Sequence, residues 1–254
     1  MSSSDSYTVQ IRHIPEHVVP GKRLGRHVRH DSRSLAYRYA APTLAPLRTN
    51  LIERYIPILN QLQTSACTAN ALTGVCGTGD VYLALNPAQQ SGLNEYRALA
   101  FYSQEELALG YGPYPPNDNG GDGVTIAGVG KADGYISGYT HTFALNDVLE
   151  ALSADEAVMI GSNWYDSFDE PSSSGLIEIS PSATVRGGHE YLCRGINVAD
   201  QLVFCDNSWG AEWGLKGSME MGWDTLARLL SEEGDGTVPT SLYKPAPVPS
   251  VVLA

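Results

Sequence analysis

Gln61-Leu-Gln-Thr-Ser-Ala-Cys-Thr-Ala-Asn-Ala-Leu72 places a cysteine at the start of a run of small and apolar residues. This run predicts a buried helix that begins near Cys67 and continues to about Leu85, with Thr64 or Ser65 as its N-cap. The N-terminus of a helix stabilises negative charge, so a thiol placed there loses its proton more easily. The stretch therefore predicts a helix with a reactive cysteine in its first turn.

Two later motifs supply the groups that such a thiol needs. Gly187-Gly188-His189 provides an imidazole, and Asn207-Ser-Trp-Gly210 provides a carboxamide. We expect the imidazole to act as general base and then general acid, while the carboxamide holds the ring in one orientation. The side chain of Gln61 and the backbone N–H of Cys67 are expected to stabilise the oxyanion. A lone cysteine or histidine is usually structural, but this set in this order predicts a nucleophilic hydrolase.

Charge is divided unevenly along the chain. The 254 residues carry a net charge of −12, with a balance of +5 over residues 1–60 and −17 over residues 61–254. An acidic body argues against nucleic-acid binding. The basic arm, residues 1–29, is expected to fold back onto that body; the alternative is a tail that binds nucleic acid or docks a partner. A further hypothesis is that it lies over the acidic surface near the active site and regulates access.

Helical patterns precede strand patterns, which predicts an α+β fold with segregated halves. Helices are predicted over 93–109 and 145–152, and a long turn-rich loop is predicted over 110–123. Strands are predicted over 157–160, 176–179, 190–198 and 202–205. The chain divides into the arm (1–29), one catalytic domain (30–240) and a Pro-rich tail (241–254).

Other classes of site find little support in the sequence. The cysteines are too widely spaced for a zinc site, and we expect no metal and no organic cofactor. No apolar run reaches the ~18 residues that cross a membrane, and no signal peptide is visible. We expect no membrane partner; the sequence does not determine the location and leaves a cytoplasmic and a phage- or virion-associated one open. Cys193 and Cys205 fall on neighbouring predicted strands and could be joined, but small buried thiols are the favoured interpretation.

The motifs resemble those of the papain family of cysteine peptidases. Gln-x5-Cys, Gly-Gly-His and Asn-Ser-Trp-Gly-x-x-Trp-Gly follow one another over residues 61–214. The Cys-Thr-Ala-Asn-Ala version is similar to a prokaryotic or viral branch. The resemblance implies a two-lobe fold, with a helical N-terminal lobe, a β-barrel-like C-terminal lobe and the active site in the cleft between them.

The resemblance also assigns roles to residues. The catalytic residues it implies are Cys67, His189, Asn207 and Gln61. Trp209 would cover the histidine–asparagine contact, and Gly120, Gly121 and Trp209 would face an extended substrate. Glu190 stands where the family has a small apolar residue, and strand alternation predicts that it points away from the catalytic face.

The expected function is that of a cysteine-type peptidase, which cleaves a peptide or protein substrate through a thioester acyl-enzyme. One alternative is a structural or binding component of a larger assembly that docks through the basic arm. Another alternative keeps the same residues but uses them for acyl transfer or for deamidation of a side-chain amide.

Overall fold

The structure is a computed structural model that describes residues 11–29, 38–40 and 46–242. The Pro-rich tail beyond residue 242 and the first ten residues of the arm lie outside the described residues. The helices are α1 Cys67–Cys76, α2 Gly79–Ala84, α3 Pro87–Ser91, α4 Glu95–Ala108, α5 Gly123–Ala132, α6 Leu145–Ser153 and α7 Trp223–Ser231. The strands are β1 Ile11–His13, β2 His27–Arg29, β3 Asn50–Leu51, β4 Gly138–Thr142, β5 Val158–Tyr165, β6 Leu176–Ile177, β7 Val185–Asn197, β8 Leu202–Asp206, β9 Ser218–Gly222 and β10 Asp235–Thr240.

Helix α1 begins at the predicted cysteine, but its two ends differ from the prediction. Its N-cap is Ala66, whose side chain has no polar atom to cap the helix. The predicted N-caps Thr64 and Ser65 have other partners. The Thr64 hydroxyl donates to the Gln61 carbonyl, and the Ser65 hydroxyl accepts from Arg23. The helix ends at Cys76 and not near Leu85, since two glycines follow and the second has a φ of +50°.

The strands form one mixed sheet with β5 and β7 near its middle. Its strand order is β4-β10-β5-β7-β8-β9-β6, with β3 paired to β7. The first and last strands of this path do not pair, so the described strands form no closed barrel, and the expected β-barrel-like lobe is not confirmed. Helices packed with an antiparallel-rich sheet confirm the predicted α+β class.

The strands β5 and β7 separate two hydrophobic cores. Val158 and Ile160 belong to one core, whereas Met159 between them belongs to the other. Strand β7 alternates in the same way, with Tyr191 in the first core and Leu192 in the second. Because successive side chains of a strand point to opposite faces, His189 shares the face of Tyr191, and Glu190 shares the face of Leu192.

Cys193 and Cys205 form a disulfide, so the interpretation of both as free thiols is wrong. The physical reason is their register. The two residues are direct partners in the antiparallel pair β7–β8, with a Cα–Cα distance of 4.1 Å. Cys67 and Cys76 remain free and buried.

Among the described residues, none of the helices combines the length and the apolar character that crossing a membrane requires.

Candidate active site

A hydrogen bond between His189 and Asn207 fixes the imidazole. Nε2 of His189 lies 2.8 Å from Oδ1 of Asn207, and the backbone N–H of Ser208 donates to the same oxygen at 2.7 Å. Since Oδ1 can only accept, Nε2 carries the proton. The lone pair of the neutral ring is then on Nδ1, a buried atom with no hydrogen-bond partner among the described residues. The hydrogen bond between His189 and Asn207 therefore leaves Nδ1 of His189 available as a base.

Aromatic side chains enclose this imidazole. The rings of Trp164 and Trp209 have centroids 4.8 and 5.2 Å from that of His189. Burial, against the opposing effect of the Asn207 hydrogen bond and with a smaller contribution from the charge of Arg186, lowers the pKa of His189 to about 3. The ring is therefore neutral at ordinary pH, as a general base must be.

Cys67 is the first residue of α1 and is completely buried. The backbone N–H groups of Glu190 and Thr68 act to lower the pKa of its thiol, so the sulfur lies near the residue that follows His189 on β7. No hydrogen bond joins this sulfur to Nδ1 of His189. Burial, and then the charge of Glu190, raise the pKa of Cys67 well above its ordinary value. The thiol is therefore protonated here, contrary to the activation expected from a helix N-terminus.

Gln61 is buried beside the same motif. Its Oε1 accepts from the hydroxyl of Ser208 at 2.6 Å, and its Nε2 donates to the Thr64 carbonyl at 2.8 Å. Its backbone N–H donates to the Ser208 carbonyl at 2.8 Å. A carboxamide nitrogen has two hydrogens, so one remains for an oxyanion. The loop before α1 is thus connected to the residue after Asn207.

The residues expected to face a substrate contact the N-terminal arm instead. The indole N–H of Trp209 donates to the Arg23 carbonyl at 2.9 Å. Gly121 donates to the Gly25 carbonyl at 2.9 Å and accepts from the His27 N–H at 2.6 Å. On the other side, the N–H groups of Gly25 and Arg26 both donate to the Gly188 carbonyl, at 3.0 and 2.9 Å.

Glycines make this close passage of the arm possible. A Cβ at Gly120 would overlap the Gly25 carbonyl, and a Cβ at Gly188 would overlap the Arg26 carbonyl. A Cβ at Gly25 itself would overlap the carbonyl of Ser65, two residues before Cys67. Sequence reasoning missed the segment 23–27 as part of the site, although the glycine pairs at 120–121 and 187–188 were a signal of close backbone approach.

Buried acids on the opposite face were also missed. Glu190 points away from His189, as predicted, but its side chain is buried together with Arg26 and Asp235. Glu105 accepts from the hydroxyl of Thr68 at 2.6 Å, and burial raises the pKa of this carboxyl well above its ordinary value. Within the described ranges, no group of His, Cys, Asp or Glu is arranged to hold a metal ion.

The fold resembles that of solved proteases. Xylellain, a cysteine protease from Xylella fastidiosa, has a TM-score of 0.55 and 16% identity, over 94% of this chain and 100% of xylellain. Digestive procathepsin L 3 of the Tenebrio molitor larval midgut has a TM-score of 0.60 and 14% identity, over 87% of this chain and 76% of that chain. These neighbours are papain-like cysteine proteases. At such identities the likeness concerns the fold alone; no protein-family model and no curated protein matches the sequence.

Proposed function

We propose that the chain is a cysteine-type peptidase whose nucleophile is Cys67 and whose base is His189. The observation that carries the proposal is the imidazole held by Asn207 with Nδ1 left as a base, next to the strand position that contacts Cys67. The two hydrophobic cores would correspond to the two lobes of a papain-like fold. The Cys-Thr-Ala-Asn-Ala sequence would place the chain in a prokaryotic or viral branch of that family.

The mechanism begins with proton transfer from the Cys67 thiol to Nδ1 of His189. The thiolate attacks the carbonyl carbon of the peptide bond, and the oxyanion accepts hydrogen bonds from Nε2 of Gln61 and the backbone N–H of Cys67. The C–N bond then breaks, the amine leaves with the proton from His189, and a thioester remains. Water, deprotonated by His189, hydrolyses the thioester and regenerates the thiol.

In this proposal the described state is latent. The arm covers the backbone groups of Gly121 and Gly188 that an extended peptide would use, and it excludes water from Cys67. Proton transfer between the buried thiol and imidazole would create two charges in an apolar environment, which is unfavourable. Displacement of segment 23–27 would open the site to substrate and hydrate the thiolate.

The test is peptide hydrolysis by the full chain with Gly25→Ala, a change that makes the arm collide with the Ser65 carbonyl. We expect G25A to cleave a peptide library and C67S in the same background to lower kcat/KM at least about a thousandfold. The control is C76S, which removes the other free cysteine, buried in the second core.

The outcomes separate the proposed function from its alternatives. Release of free carboxyl termini supports hydrolysis of peptide bonds. Transfer to an added amine, or conversion of glutamine to glutamate without chain cleavage, indicates the acyltransferase or deamidase. If G25A is inactive in every assay and C67S changes nothing, the catalytic role of Cys67 is wrong and a structural or binding role follows.

A further inference from the structure

The side chain of Arg26 fills a buried pocket formed by distant parts of the chain. Arg26 is 2% exposed, and its Nη2 donates to Oδ2 of Asp235 at 2.7 Å and to the Glu233 carbonyl at 2.9 Å. The carboxyl of Glu190 also faces this space, and both of its oxygens lack a hydrogen-bond partner among the described residues, as does Oδ1 of Asp235. We call the space between Gly161, Glu190, Glu233 and Asp235 the Arg26 pocket.

Glycines give the Arg26 pocket its depth. A Cβ at Gly161 would overlap Nε of Arg26 and would lie 2.8 Å from Oδ1 of Asp235. A Cβ at Gly123 would lie 2.8 Å from Oε1 of Glu190. Any larger residue at these positions would collide with the groups that fill the pocket, so the two glycines leave room for the Arg26 side chain and the two carboxyl groups.

The Arg26 pocket adjoins the proposed catalytic residues. Glu190 follows His189 on β7, and its backbone N–H contacts the sulfur of Cys67. The backbone of Arg26 is held at the Gly188 carbonyl, one residue before His189. An extended peptide that replaces the arm would therefore present one of its side chains to the same pocket.

The charges of the pocket favour a cation as its occupant. Glu190 and Asp235 are both buried, and their charges repel each other at short range. Burial and the charge of Asp235 raise the pKa of Glu190, whereas Arg26 acts to lower it. An apolar side chain in the pocket would leave the Asp235 carboxylate without its ion-pair partner, and an unpaired buried charge is strongly unfavourable.

We propose that the Arg26 pocket selects peptide substrates with a basic side chain, arginine above lysine. Arginine is preferred because Nη2 of its guanidinium donates to both the Asp235 carboxylate and the Glu233 carbonyl while Nε and Nη1 keep further N–H donors for the Glu190 carboxyl, whereas an ammonium acts as a point charge. In the latent state Arg26 occupies the position of that substrate side chain. The inference rests on the proposed peptidase function.

The test uses the full chain with G25A and pairs of peptides that differ only in Arg or Met at one position, chosen by scanning a library. We expect kcat/KM for the Arg peptide to exceed that for the Met peptide at least about tenfold, in line with a charge-assisted hydrogen bond. Asp235→Asn should reduce this ratio at least about tenfold. Asp200→Asn is the control, since it removes the same charge from an exposed turn.

Equal cleavage of the Arg and Met peptides by G25A overturns the inference and leaves the proposed function intact. The same conclusion follows if, in the G25A chain, D235N and D200N have the same ratio of kcat/KM for the Arg peptide to kcat/KM for the Met peptide. If G25A cleaves no peptide at all, the proposed function is wrong, and the substrate inference, which rests on it, is wrong as well.

A second measurement on the full chain needs no substrate. Arg26→Met removes the charge at similar length, and Arg26→Lys keeps it. We expect R26M to accelerate modification of Cys67 by a thiol-directed epoxide at least about tenfold and R26K to accelerate it less. Equal rates for R26M and the unmodified sequence would show that the pocket does not discriminate by charge, which overturns the inference.

Discussion

The orientation of Asn207 determines which nitrogen of His189 can act as a base. Its Oδ1 accepts from the backbone N–H of Ser208, which can only donate, so this bond fixes which side of the carboxamide faces His189 and makes Nε2 the donor to Oδ1. Asn207 thus acts through the imidazole and is a positioning residue.

Replacing Asn207 tests this role at the level of one residue. In the G25A chain, Asn207→Ala should lower kcat roughly 10- to 100-fold with little change in KM, because the ring loses its preferred tautomer. Asn207→Asp keeps an acceptor for Nε2 and should retain more activity, with a pH profile shifted upward because a carboxylate stabilises imidazolium. Equal kcat for N207A and its parent would contradict the role.

At this scale the sequence shows which residue types can perform the chemistry, but not which charges surround them. Cys67, His189 and Asn207 are identifiable because few side chains can serve as nucleophile, base and orienting group. The contact between Arg26 and Asp235 joins residues 209 positions apart, and no local pattern indicates it. For this reason the sequence predicts an activated thiol, whereas in the structure burial and nearby acids raise the pKa of Cys67 and keep it protonated.

Strand β7 is the element that organises the molecule. One face carries His189 toward Trp164 and Trp209, and the other carries Glu190 into the Arg26 pocket. Toward its end, Cys193 is bonded to Cys205 of β8. The segment between His189 and Asn207 is therefore closed covalently as well as by hydrogen bonds.

Removal of the disulfide should lower stability without abolishing the fold. The bridged residues are 12 positions apart, and closing a loop of this size contributes about 2–3 kcal/mol. We expect Cys193→Ala with Cys205→Ala to lower the free energy of unfolding by about that amount in denaturant titrations. Reductant should lower the stability of the unmodified sequence to a similar value and leave the double variant unchanged. Identical stability of the two proteins under oxidising conditions would contradict this.

Helices and strands could be predicted from the sequence where the spacing of apolar side chains determines them. The helices α4 and α6 lie where the apolar spacing places them. The end of α1 and the disulfide could not be predicted, because the first depends on glycine backbone geometry and the second on strand register. The disulfide becomes evident only when β7 and β8 are paired.

At the scale of the whole molecule, the described part of the basic arm, residues 11–29, lies on the acidic body as the charge asymmetry suggests. Lys22 pairs with Glu170, Arg12 pairs with Glu233, and Arg26 pairs with Asp235. The first two pairs involve exposed carboxylates and contribute little each, whereas the third is buried. Arm docking should therefore depend on Arg26 and on the backbone contacts of Gly25 more than on salt concentration.

The most direct test of the central claim is the rate at which Cys67 reacts with iodoacetamide as a function of pH, followed by mass spectrometry. The experiment compares this rate in the full chain, in G25A and in a chain that lacks residues 1–29. The matched control is Gly138→Ala, whose added Cβ would meet no atom within 4 Å.

Because only the thiolate reacts and burial raises the pKa of Cys67, the full chain and G138A should react slowly, with an inflection well above that of an ordinary thiol. G25A and the truncated chain should react at least about tenfold faster near neutral pH, with a lower inflection, because water and His189 then stabilise the thiolate. Equal rates and equal inflections in all four proteins would show that the arm does not shield a catalytic thiol and would contradict the account.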